Sequence, residues 1–213
     1  MKYFFKDNKK PDLCLVFCGW GTDERLYLPV LKDMDYLLCF NYDKECEFSP
    51  DIDFSKYENI YLLSYSAGGF IPAVIKDKLP EIKMSVSVNS SPSLYGKYGL
   101  HDDFVEVTNN LNITNYLDFR RNYMVDSDWE FDLFNENQPY RSFEDCFAEL
   151  DALKYLSEKY KGCKYDFDRA YSAVKDKIIL HEEQKEYFGD KLIPIEGAHF
   201  PFYRYKSLKE FFE

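Results

Sequence analysis

The chain has 213 residues, enough for one domain burying roughly 70% of the surface its unfolded form exposes, so a self-sufficient core is expected. A net charge of -11 leaves no overall basic footprint, which removes nucleic acid and anionic membrane surfaces from the expected partners. Nineteen Tyr and nineteen Phe are the material of a large core or an apolar pocket.

Apolar runs of strand length recur along the chain: "YFF" at 3–5, "LCLVFC" at 13–18, "YLLCFNY" at 36–42, "IYLLSY" at 60–65, "MSVSVNS" at 84–90, "AYSAV" at 170–174 and "KLIPIEG" at 191–197. Several are apolar at nearly every position, as strands covered on both faces are. Helix-compatible segments alternate with them at 23–33, from Ser66 to about Leu79, at 182–189 and in the tail "YKSLKEFFE". The alternation predicts right-handed βαβ crossovers and an α/β fold, a mostly parallel sheet flanked by helices.

One long segment, about 92–168, falls outside this rhythm and reads as an inserted cap within a single domain. It contains "SFEDCFAELDALKYLSEKYKG", where Phe143, Phe147, Leu150, Leu153 and Leu156 recur at helical spacing between an N-cap at Ser142 and a stop at Gly162. The cysteines (Cys14, Cys18, Cys39, Cys46, Cys146, Cys163) form no CxxC pair, and Cys14 and Cys18 lack a second ligand pair, so no metal site is expected. With no leader-like or long apolar run, the expectation is a cytoplasmic protein with reduced thiols.

Chemistry enters at "YLLSYSAGGF", residues 61–70, where a strand breaks at small residues and restarts as a helix with Ser66 at the break. A nucleophile elbow needs that order, because the strained turn tolerates only small neighbours and aims the next amide at the oxyanion. Ala67, Gly68 and Gly69 satisfy the requirement, Ser64 stands where GxSxG has glycine, and Pro72 is expected to kink the following helix. "LVFCGWGTDE" places Gly19, Trp20 and Gly21 after an early strand, which makes the amides of Trp20 and Ala67 the candidate oxyanion hole. "IPIEGAHFPF" places His199 after the last strand as the candidate base. The acid is expected in the loop after the preceding strand, at Asp176, with Asp102, Asp103 and Glu182 as rivals.

These motifs, with "VNSSPSLYGKYGL" and "LDFRRNYM", resemble the BioG-type pimeloyl-[acyl-carrier protein] methyl ester esterases over nearly the whole chain. The resemblance implies an α/β-hydrolase that removes the methyl ester of pimeloyl-[acyl-carrier protein] in biotin precursor synthesis, without metal or organic cofactor. Ser66 matches the nucleophile, His199 the base and Trp20 the oxyanion loop; Tyr65 stands where the family usually has Trp. An acidic carrier protein as substrate calls for positive side chains at the entrance, and Arg120, Arg121 and, as a weaker third, Arg141 are the candidates. Two alternatives follow from the same residues: a general short-chain esterase or thioesterase, and an inactive hydrolase fold serving as a binding module.

Overall fold

A computed structural model describes residues 1–90 and 92–213. Among the described residues, β1 (Lys2–Lys6), β2 (Asp12–Phe17), β3 (Asp35–Phe40), β4 (Asn59–Tyr65), β5 (Met84–Val88), β6 (Arg169–Ala173) and β7 (Leu192–Ile195) form one sheet. Its order is β1-β3-β2-β4-β5-β6-β7, and every pairing is parallel except the edge pair β1 and β3. The unbroken apolar runs are explained by their two destinations. In β2, Cys14 and Val16 face one buried cluster, while Leu13, Leu15 and Phe17 face the other.

Apart from the helix at His181–Phe188, which matches its expected span, the connecting helices are shorter than the sequence predicts, and prolines account for much of this. Segment 23–33 forms only α1 (Glu24–Tyr27) and a 3-10 turn at Leu28–Val30, because Pro29 has no N–H to continue the helix. After Ser66 the chain makes a 3-10 turn to Phe70, then α2 (Ile71–Val74) with Pro72 in its first turn, then another 3-10 turn at Lys76–Lys78. Pro72 therefore sits where a proline is tolerated, rather than kinking a longer helix. The tail is a 3-10 turn, Leu208–Phe212, capped reciprocally by Ser207 and Glu210.

Aromatic side chains cover the sheet where helices are short. Tyr65, Phe200, Phe202 and Phe211 are buried and packed edge to face, with ring centroids 5.1 Å apart for Tyr65 and Phe202 and 5.0 Å for Phe200 and Phe202. This is the structural use of the Tyr and Phe excess.

Between β5 and β6 the chain forms α3 (Asp102–Asn109), α4 (Tyr116–Phe119) running into a π-helical turn at Arg120–Met124, α5 (Asp128–Glu136) and α6 (Phe143–Lys159). Helix α6 begins where expected, with Ser142 Oγ accepting from the Asp145 amide, and Gly162 beyond it has φ +87°. Helix α7 (His181–Phe188) precedes β7. The turns leaving β2, β4, β6 and β7 gather at the carboxyl edge of the sheet, where open α/β sheets form their crevice.

Candidate active site

Ser66 follows the last residue of β4 and has φ +51°, a left-handed conformation that costs a non-glycine residue on the order of 1–3 kcal/mol. The turn is held tight by Gly68, where a Cβ would lie 2.3 Å from the Phe17 carbonyl oxygen and 2.6 Å from that of Cys18. The loop after β2 closes on the other side: a Cβ at Gly19 would lie 2.8 Å from the Tyr65 ring and 3.1 Å from Ser66 Cβ. Trp20, Ser66, Ala67 and His199 consequently line one cavity.

Ser66 Oγ–H donates to His199 Nε2 at 2.8 Å, and His199 Nδ1–H donates to Asp176 Oδ2 at 2.8 Å. Both the imidazole and the carboxylate are buried, with 3% and 0% of their side chains exposed. The other carboxylate oxygen of Asp176 accepts from the amides of Ile178 (2.8 Å) and Ile179 (3.1 Å), so the group is fixed from both sides. A hydroxyl, an imidazole and an oriented carboxylate in this series can move a proton off the hydroxyl and stabilise the imidazolium that results.

The rival carboxylates lie elsewhere. Asp102 and Asp103 are exposed in the first turn of α3, and Glu182 is exposed on α7. Tyr65 stacks obliquely on His199 with centroids 5.2 Å apart, and burial, reinforced by the Asp176 charge, pushes its hydroxyl well above the ordinary tyrosine range.

Asn89 is a site residue that the sequence reading missed. It is fully buried at the end of β5 with φ +43°. Its Nδ2 donates to the carbonyls of Ala198 (3.1 Å) and His199 (2.8 Å), and its Oδ1 accepts from the Ala173 amide at 2.7 Å. One side chain thereby ties the loop bearing His199 to the strand end leading to Asp176. The available signal was an Asn at the end of an apolar strand, where left-handed backbone favours Asn.

The cavity, about 250 Å³, is walled mainly by apolar groups: Leu26 from α1, and Leu100, Phe104, Phe119, Met124 and Phe134 from the segment between β5 and β6. The three arginines are placed differently from one another. Arg120 is not at the rim but in the wall, 4% exposed, its Nη1 donating to Asn135 Oδ1 (3.1 Å) and Gln138 Oε1 (3.0 Å) while its guanidinium lies 4.2 Å from the Tyr116 ring centroid. Arg121 is exposed, lies over Phe131 and donates to Asp128 at 2.7 Å.

Arg141 corrects the expectation of an entrance contact. Its side chain is 5% exposed and its donors are engaged by Glu149, Asp145 and Asn41. Burial works against its charge, and the Glu149 carboxylate beside it outweighs that effect, raising its pKa.

No helix among the described residues is long and apolar enough to cross a membrane. Residues 1–210 match the family model described as pimeloyl-ACP methyl esterase BioG. No curated protein sequence matches the chain. Among solved structures, BioG from Haemophilus influenzae superposes with a TM-score of 0.84 at 24% identity, covering 100% of both chains. A lipase-esterase related protein from Clostridium acetobutylicum gives 0.64 at 22% identity over 94% of this chain and 92% of that one. The enol-lactonase of Burkholderia xenovorans gives 0.58 at 13% identity over 94% and 89%. The sheet order, the turn after β4 and a family match spanning nearly the whole chain converge: the protein belongs to the BioG family and is a carboxylic ester hydrolase of the α/β-hydrolase fold.

Proposed function

We propose that the chain hydrolyses the methyl ester of pimeloyl-[acyl-carrier protein] through a Ser66, His199 and Asp176 triad and an acyl-enzyme. The observation that carries this reading is the buried hydrogen-bond series from Ser66 Oγ through His199 to Asp176, 2.8 Å at each step. The family match supports the methyl ester and the carrier protein as the substrate of this reading.

His199 Nε2 takes the Ser66 proton as Oγ bonds to the ester carbonyl carbon, and the carbonyl electron pair moves to oxygen. The amides of Trp20 and Ala67 receive that oxyanion. Collapse breaks the bond to the methoxy oxygen, which leaves as methanol with the proton held by His199. Water then attacks the acyl-enzyme with the same base, releasing a carboxylate and restoring Ser66. The polypeptide supplies the nucleophile, the base, the acid and the oxyanion donors.

Residues 92–168 act as a cap on a single catalytic domain, covering the acyl chain with Leu100, Phe104, Phe119 and Phe134. Arg121, on the exposed side of that cap, meets the acidic carrier protein, while Arg120 contacts the substrate chain inside the cavity. The reading places the enzyme in the cytoplasm, where carrier-linked acyl chains are made.

The test compares wild type with Ser66→Ala on the carrier-linked methyl ester and on p-nitrophenyl esters. The expected result is preference for the carrier-linked ester and loss of ~10⁴-fold or more in kcat on both for the variant. Equal efficiency on all esters would assign a general esterase instead, and an active Ser66→Ala would reject the nucleophile.

A further inference from the structure

Helix α6 buries a charge beside the candidate oxyanion loop. Glu149 lies on the face it shares with Cys146 and Leu153, and its side chain is 0% exposed. A carboxylate in that position is tolerable only when each oxygen is partnered. Oε1 accepts from the Tyr42 amide at 3.0 Å, just past the end of β3. Oε2 accepts from the Gly21 amide at 2.9 Å and from Arg141 Nη1 at 2.5 Å.

The same cap segment holds the residues on either side of Gly21. Trp20 Nε1 donates to the Cys146 carbonyl at 2.6 Å, and Arg141 Nη1 reaches the Thr22 carbonyl at 3.4 Å. Trp20, Gly21 and Thr22 are thus tied in succession to α6 and to the residue that leads into it. The loop needs such ties, because glycines flank Trp20 on both sides and Gly21 has φ +72°. Left to its own backbone preferences, the peptide bearing the Trp20 amide has many orientations; fixed at Gly21, it has few.

We propose that Glu149 is a positioning residue: with Arg141 it holds the Gly21 amide from the cap, and so orients the neighbouring Trp20 amide toward the oxyanion. Burial pushes the Glu149 carboxyl above its ordinary range, and Arg141 opposes that and aims the group, so the pair acts as one device. The inference rests on the serine-esterase reading and adds that the cap contributes to the transition state as well as to substrate binding. An oxyanion donor that loses its alignment costs up to ~10²–10³-fold in kcat, and a donor merely loosened should cost less, about 10–100-fold.

The test uses the double variant Arg141→Met/Glu149→Leu, which removes both charges together, a replacement that apolar side chains often accommodate without loss of stability. Steady-state hydrolysis of a p-nitrophenyl ester, the thermal midpoint and the affinity of an alkyl trifluoromethyl ketone are measured together. Addition of Ser66 to that ketone places an alkoxide in the oxyanion hole. The expected result is a folded protein whose KM changes less than about 2-fold, while kcat and ketone affinity both fall about 10–100-fold. Wild-type kcat in the folded double variant would overturn the proposal and leave the pair a structural staple.

Should the double variant fail to fold, Glu149→Met, which leaves no acceptor for the Gly21 amide, assayed well below its own unfolding midpoint, decides the matter by the same split between kcat and KM. Ser66→Ala is run in parallel. Activity in that variant rejects the serine reading, whereas an inactive Ser66→Ala beside an unimpaired Glu149→Met rejects only the role of Glu149.

Discussion

Gly68→Ala is the sharpest structural perturbation of the elbow, because the added methyl meets backbone rather than a movable side chain. Its Cβ would fall 2.3 Å from the Phe17 carbonyl oxygen and 2.6 Å from that of Cys18, where real Cβ contacts stay beyond 3.0 Å. The turn after Ser66 must therefore retreat from the end of β2 by at least about 0.7 Å, through a core packed to crystal-like density. Overpacking of this kind costs about 1–3 kcal/mol, which for a chain of this length lowers the thermal midpoint by roughly 2–12 °C. The retreat also carries Ser66 Oγ away from His199 and the Ala67 amide away from the oxyanion, and a misplacement near 1 Å costs about 10²-fold in rate. Thermal unfolding and kcat/KM on a small ester read the two effects separately. A Gly68→Ala protein with wild-type midpoint and wild-type kcat would refute the argument that this contact sets the elbow.

Four further outcomes are expected. In Asp176→Asn the amides of Ile178 and Ile179 select the side-chain oxygen, turning the NH₂ toward His199 Nδ1 and enforcing the wrong tautomer, so kcat should fall about 10⁴-fold while Asp102→Asn and Asp103→Asn stay near wild type. Asn89→Ala unties the His199 loop from the Ala173 strand end; kcat should drop more than KM changes, and stability should fall by about 2–4 kcal/mol in urea unfolding for a group making three buried hydrogen bonds. The hydrogen bond to Glu183 raises the pKa of His101 above its ordinary 6.5, so its stabilising contribution is complete below pH 6.5 and is lost as pH rises through the folded value. His101→Gln should accordingly flatten the fall in thermal midpoint above pH 6.5, and an unchanged pH profile would count against that contact. Arg121→Glu should raise KM for the carrier-linked ester and leave a small soluble ester almost untouched; equal effects would remove Arg121 from the carrier surface.

What could be read from residues alone follows from whether the signal is local. Strands such as β2 and β4 stand out because both faces are buried, and an unbroken run like "LCLVF" has few other uses. The turn at Ser66 was legible because left-handed backbone and close packing demand small residues at fixed offsets, and His199 because it sits alone in a small-residue loop after a late strand. Asp176 could be ranked ahead of Asp102 by its place in the loop after the strand that precedes the last one, yet only the two isoleucine amides and the imidazole distinguish it physically.

The arginines and Glu149 were not legible for the opposite reason. Whether Arg120 or Arg141 is buried depends on how α4, α5 and α6 fold over the sheet, and nothing within their own turns records it. Glu149 reads as one more acidic residue on an amphipathic helix; only its alignment with Cys146 and Leu153 hints at the buried face. The helix after Ser66 was overdrawn because periodicity continued past Pro72 while the backbone left the helix within one turn.

The most direct measurement of the central claim is peptide mapping by mass spectrometry after labelling with a fluorophosphonate, with and without the carrier-linked methyl ester as competitor. One adduct is expected, on Ser66, slowed by the ester, abolished in Ser66→Ala and strongly reduced in His199→Ala. An unlabelled wild type, or equal labelling of Ser66→Ala, would contradict it.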